Sequence, residues 1–192
     1  GRAVFTEAYA VIPRGVMTGI VTSLLPGWDA TRAWIIARPM SGFSETFAHA
    51  ILDVAAGGGS EAPEPDPAAE GVLFVTGGTA TLTLPDGAHA LAPGSYAYLP
   101  PGLAWRLRNT SGDGARLHWI RKLWEPAPGL TPPAAFVTSD RATAPVAMPD
   151  TDGRWATTRF VAPDDLSHDM HVNIVTFQPG GLIPFEETHV MA

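Results

Sequence analysis

Glu187-Thr188-His189 sets a carboxylate and an imidazole two residues apart near the end of a chain of 192 residues. On a strand, positions i and i+2 share a face, so both side chains would address the same ion. An imidazole nitrogen beside a carboxylate oxygen suits manganese, iron(II) or zinc. With Cys 0, thiolate sites and disulfides are excluded, and any metal must rest on His and carboxylate donors. Glu187 and His189 are therefore half of a candidate metal site, and the remaining ligands must come from elsewhere.

An internal repeat shows where to look. Gly180-Gly181 is followed by five residues and then Glu187; Gly57-Gly58 is followed by five residues and then Glu64. Both copies follow a strand-like run, Ala48–Val54 in one case and His171–Phe177 in the other. The first copy continues through Asp66 to Glu70, whereas the second reaches the last residue before its counterpart of Glu70. Three carboxylates would suit a hard cation such as calcium or magnesium, but the proline-laden stretch Glu61–Pro67 reads as a solvated loop. His168 and His171 are three apart, so on a strand they would face opposite ways. His49, His89 and His118 are isolated in sequence and read as structural or exposed. Asp169-Met170 stands just before a strand-like run and is a candidate for substrate contact. Arg121-Lys122 reads as a solvated strand end that could pair with acidic residues of the connector.

The elements that must carry these groups are strands. Gly 20 and Pro 19 are spread throughout, a punctuation that leaves no room for long helices. Thr79–Leu84 alternates strictly, with Ala80, Leu82 and Leu84 on one face, and Pro85-Asp86-Gly87 turns the chain into a return strand at His89–Leu91. Ala33–Ala37, Thr46–Val54, Ser95–Leu99, Ala115–Ile120 and His171–Phe177 are further strand candidates. Short strands at regular spacing with Gly/Pro turns predict an all-β sandwich or barrel. The stretch Trp124–Trp155 is rich in Pro, Ala, Asp and Thr and reads as a connector outside either core. The net charge of −7 and pI near 5.2 argue against nucleic acid or an anionic membrane as partner. No run of 18 apolar residues is present, and the start lacks the apolar segment of a signal peptide, so a cytoplasmic location is expected.

Two patterns in the first half resemble those of the cupins, small β-barrels with G-x5-H-x-H-x3-4-E-x6-G followed by G-x5-P-x-G-x2-H-x3-N. Gly58, Glu64, Asp66, Glu70 and Gly77 reproduce the spacing of the first, and Gly94, Pro100, Gly102, Trp105 and Asn109 that of the second. The four positions that would ligate metal read Glu64, Asp66, Glu70 and Trp105. An indole has no lone pair to offer a metal, so Trp105 is expected to fill the barrel mouth, and the four residues are expected to cluster there without a transition metal.

A second barrel reading Glu-Thr-His-Val, behind a first that has lost its His ligands, is similar to one group of two-barrel cupins, the (S)-ureidoglycine aminohydrolases of purine and allantoin breakdown. Arg2-Ala3, Tyr98–Gly102, Leu117–Pro126, His168–Met170 and Phe177–Gly180 extend the likeness along the chain. The resemblance implies an all-β, two-domain cupin of jelly-roll barrels (double-stranded β-helix), its second barrel incomplete here. It divides the chain into an N-terminal barrel with a degenerate metal motif (1–124), a connector (125–155) and the start of the metal-binding barrel (156–192). It implies Mn2+ held by Glu187 and His189, the family's further His and Gln falling past Ala192. The implied reaction is hydrolysis of (S)-ureidoglycine to (S)-ureidoglycolate and ammonia, with Glu187 as both ligand and catalytic proton acceptor. Two other classes stay open: a cupin oxygenase with a non-haem iron site, and a non-catalytic two-barrel protein that binds a small molecule. The expected partner is a small-molecule substrate. Six Trp in a short β-rich chain also predict a homo-oligomer, a dimer or larger, since large aromatics are enriched at interfaces. The natural protein is expected to continue beyond Ala192.

Overall fold

The computed structural model describes residues 2–6, 9–16, 23–38, 46–125, 127–149 and 151–185. Among these the protein is built of strands and one 3-10 turn, Arg14–Val16. The strands are β1 (Val4–Phe5), β2 (Ala10–Val11), β3 (Ser23–Leu24), β4 (Asp29–Ala37), β5 (Phe47–Ser60), β6 (Ala69–Gly77), β7 (Ala80–Leu84), β8 (Gly87–Leu91), β9 (Ser95–Leu99), β10 (Arg106–Arg108), β11 (Ala115–Leu123), β12 (Phe136–Ser139), β13 (Val146–Ala147), β14 (Trp155–Arg159) and β15 (Asn173–Phe177). No described helix is long and apolar enough to cross a membrane.

The main sheet has ten strands and runs β12-β9-β6-β11-β5-β10-β7-β8, with β4 added to β5 and β3 to β4. It curls because β5 changes partners along its length. Its first part pairs with β11 and β4 (Leu52 opposite both Leu117 and Ala33), and its end pairs with β10 (Ser60 opposite Leu107). The corner is made by Gly57-Gly58-Gly59. Gly59 has φ +136, and a Cβ there would collide with the carbonyl of Leu107; only glycine lets two backbones approach so closely. The result is a nearly closed jelly-roll barrel.

Alternation decides what each strand buries. Leu52 and Val54 of β5, Leu73 and Val75 of β6, Leu82 of β7, Leu107 of β10 and Leu117 of β11 point inward and are buried. Each stabilises the fold by roughly 1.5–3 kcal/mol relative to exposure. Trp28, Trp105 and Trp119 complete this interior, with ring centroids 5.6–6.3 Å apart.

The opposite face of β6, β9 and β11 is also covered. Val72, Tyr96 and Tyr98 form a second core with Met170, and Phe74, Ile120, Phe136, Phe160 and Val172 pack around it. Phe160 stacks on Tyr96 with centroids 4.1 Å apart. The stretch expected to be a pure connector therefore contributes to the barrel sheet. Its Phe136–Ser139 pairs with β9, Phe136 lying opposite Tyr98. Beyond it, β13, β14 and β15 form a separate three-stranded sheet on which Trp155 is buried against Phe177 and Phe185.

Candidate functional site

Glu187 and His189 lie outside the described residues. The four positions of the degenerate first motif are all described, and each has been given other work.

Glu64 follows β5 in the turn toward β6. Its Oε1 accepts from Arg121 Nη2 and from the backbone N–H of Asp66 at 3.0 Å. Its side chain is 10% exposed, so the expectation of a freely solvated loop fails at this residue. Asp66 caps the same turn by accepting from the N–H of Ala68 at 2.9 Å. Arg121, read as a solvated strand end, instead lies over the ring of Trp119, 5.4 Å from its centroid. Trp105 packs edge-on against Trp28 and Trp119, in keeping with its expected role as filler of the barrel. Glu64, Asp66, Glu70 and Trp105 do line one cavity.

Glu70 lines that cavity, but its carboxylate is turned away from the other three. It alternates with Val72 and Phe74, which belong to the outer core, whereas Leu73 and Val75 point inside. Its carboxylate leaves the barrel and accepts from the Tyr98 hydroxyl at 2.8 Å. No group of three or more His, Cys, Asp or Glu that could hold a metal ion occurs among the described residues. The donor set of the first motif thus does not fit a metal: Glu64 is committed to Arg121, Glu70 faces away, and Trp105 can only donate.

Around Glu70 lies a buried polar group that sequence reading missed. Lys122 Nζ pairs with Asp169 Oδ2 at 2.7 Å, the side chains 8% and 9% exposed. The same oxygen accepts the N–H of Glu125 at 2.6 Å. His168 stands edge-on to Tyr98, centroids 4.6 Å apart, with its Nδ1 buried and without a partner among the described residues. Lys122 is therefore no solvated strand end, and Asp169-Met170 binds the later chain to the outer face of the barrel. No sequence signal couples residues so far apart in the chain. His49 and His118, read as isolated, meet on this outer face, Nε2 to Nδ1 at 2.7 Å. Burial, then repulsion by His118, lowers the His49 pKa to about 4, and burial followed by Arg116 lowers that of His118.

Burial raises the Glu70 pKa from 4.5 to about 7; the Tyr98 hydroxyl and Lys122 oppose the rise, and Asp169 adds to it. The folded protein therefore holds this proton between about pH 4.5 and 7, where the unfolded chain has released it. The stabilising contribution is fully present below 4.5 and is lost as pH rises through 7. Glu70→Gln keeps a neutral partner for Tyr98 at every pH. It should match wild type in urea unfolding at pH 4.5 and exceed it by roughly 1–3 kcal/mol at pH 8. An identical fall from pH 4.5 to 8 in both proteins would assign that loss to other groups.

Comparison with known proteins adds four observations. Residues 50–121 match the family model described as a Cupin domain. The chain is 25% identical over 172 residues to the (S)-ureidoglycine aminohydrolase of Escherichia coli (strain K12), a match covering 90% of this chain and 64% of that protein. The chain thus spans less than two thirds of that relative. Among solved structures, protein Ylba from E. coli superposes with TM-score 0.82 at 23% identity, covering 99% of this chain and 73% of that one, a likeness of fold. A Pseudomonas aeruginosa structure bearing the name "Putative Glyoxylate Induced Protein" superposes with TM-score 0.91, covering 100% of this chain and 71% of that one. At 59% identity over its whole length, the chain belongs to the same cupin family as that Pseudomonas aeruginosa protein.

Proposed function

We propose that the protein is an aminohydrolase that releases ammonia from (S)-ureidoglycine to give (S)-ureidoglycolate, with one Mn2+ per chain. The observation that carries this reading is the identity of 25% to the E. coli enzyme of that name over 90% of the chain. The diversion of Glu64, Asp66, Glu70 and Trp105 to other partners supports it from the other side, because the chemistry then falls to the second copy of the repeat. There Glu187 and His189 would hold the ion, their oxygen and nitrogen donors suiting manganese.

In this reading residues 1–124 are a barrel without metal, 125–155 lead out of it, and 156–192 begin the barrel that carries the site. The ion, when bound, supplies a positive centre that orients substrate and stabilises developing negative charge. Glu187 would accept a proton from the attacking water and pass it to the amine nitrogen, so that a C–O bond replaces the C–N bond and ammonia leaves. His189 donates a neutral ring nitrogen, so its other nitrogen must find an acceptor to fix the tautomer. A homo-oligomer is part of the same proposal.

The test is made on the full-length protein. Elemental analysis should give about one manganese per chain, and freshly generated (S)-ureidoglycine should release ammonia above its spontaneous decay. Glu64→Gln should leave both values unchanged. Two equivalents of metal, one of them lost in Glu64→Gln, or no ammonia above the spontaneous rate, would overturn the reading.

A further inference from the structure

We propose that His49 and His118, on the outer face of the first barrel, form a binding site for one divalent ion of the Zn2+, Ni2+ or Cu2+ type, with water in its remaining coordination positions. The pair lies on the opposite side of the sheet from the barrel interior, and the inference stands independently of the aminohydrolase reading.

Register fixes the pair. β5 and β11 run antiparallel with His49 opposite Ile120 and Ile51 opposite His118, so the two imidazoles are diagonal neighbours on one face, within reach of each other. The other face is committed to the interior, where Ala50, Leu52, Leu117 and Trp119 are buried. His49 Nε2 and His118 Nδ1 stand 2.7 Å apart, with ring centroids at 5.0 Å and planes inclined by 42°. One of these nitrogens carries the proton that the other accepts. A tetrahedral zinc ion between two imidazoles sets their nitrogens about 3.3 Å apart. The rings need to part by only roughly 0.6 Å to admit it, and both side chains are half-buried rather than locked in a core.

The chemistry of the pair suits an ion. Histidine ligates through a neutral ring, and burial favours that form in both residues. Entry of the metal needs no net loss of a proton, because the ring that donated can carry its hydrogen on its other nitrogen. The nearby positive charge is already balanced: Arg116 donates from Nε and Nη2 to the two carboxylate oxygens of Asp53, at 2.6 and 2.9 Å. Two neutral nitrogens without a carboxylate suit zinc, nickel and copper and serve manganese poorly. Among the described residues no third His, Cys, Asp or Glu completes a cluster, so water fills the shell and the affinity is moderate.

The test uses untagged full-length protein carrying Glu187→Gln and His189→Ala, so that no signal comes from the second copy of the repeat. Zn2+ titrated in a calorimeter should bind once per chain with a Kd on the order of 1–100 µM, and Mn2+ at the same concentrations should give no binding heat. Adding His49→Gln or His118→Gln should weaken Zn2+ binding at least about tenfold, because either change reduces a two-point chelate to a single ligand. One equivalent of Cu2+ should give an electron paramagnetic resonance spectrum with coupling to two imidazole nitrogens, a readout that needs neither of these further variants to fold. No Zn2+ uptake up to about 1 mM, unchanged affinity in either variant, equal binding of Mn2+, or fewer than two nitrogens on Cu2+ would overturn the proposal.

Discussion

Asp169→Ala is expected to destabilise the protein by about 3–5 kcal/mol at pH 5, as is usual when one member of a buried ion pair is removed. The carboxylate is the partner of Lys122 Nζ at 2.7 Å and also accepts the N–H of Glu125. Its loss leaves an ammonium and a backbone donor buried together. Glu70 makes the cost depend on pH. It is protonated at pH 5 and so offers Lys122 no charge, whereas by pH 8 it can ionise, the more readily because the repulsion from Asp169 has gone. Destabilisation should therefore be smaller at pH 8 than at pH 5. The double variant Lys122→Met/Asp169→Leu removes both charges and should lie close to wild type. Urea unfolding at the two pH values measures all three proteins. A loss below about 1 kcal/mol at pH 5 would show that water reaches the ammonium after all.

Glu187→Gln and His189→Ala, made in the full-length protein, should each lower ammonia release from (S)-ureidoglycine by on the order of 10²-fold or more. The two substitutions act differently. His189→Ala removes a neutral donor and should show first as lost manganese, recovered in part by excess metal. Glu187→Gln keeps shape but loses charge and proton affinity, so its deficit should persist at saturating manganese. Neither should disturb the first barrel, whose buried Trp28, Trp105 and Trp119 report on it through their fluorescence. Wild-type rates in both variants would mean that the repeat marks no site.

The hairpin of β7 and β8 was legible because one face is buried and the other polar: Ala80, Leu82 and Leu84 are buried between half-buried Thr81 and Thr83. The direction of Glu70 was not. In β6 both faces are covered, with Ala69, Glu70, Gly71, Val72 and Leu73 all buried, so alternation leaves no mark in the composition. Motif spacing alone then suggested a ligand aimed at the mouth, and the pleat sends it the other way. Lys122 with Asp169, and His49 with His118, depend on register and on how a later segment covers the sheet, which no local window contains. The strand Phe136–Ser139 was hidden by the Pro- and Ala-rich residues around it. Of the candidate metal site, the sequence supplied the repeat and the residue types; the geometry of Glu187 and His189 lies outside the described residues.

The glycine corner of β5 has a kinetic meaning. This strand is the shared neighbour of β4, β10 and β11, and its pairing with β11 joins Val54 to Ala115, across β6 through β10. Hairpins such as β7–β8 can close at once, at small entropic expense. The barrel cannot close until β5 has found partners on both sides of its bend, after that long intervening chain has been ordered. Folding of the first barrel should consequently wait on this one strand, and until it is seated both of its edges stay open to pairing with other chains. The three glycines that let β5 turn are thus also what makes the last step of closure possible at all.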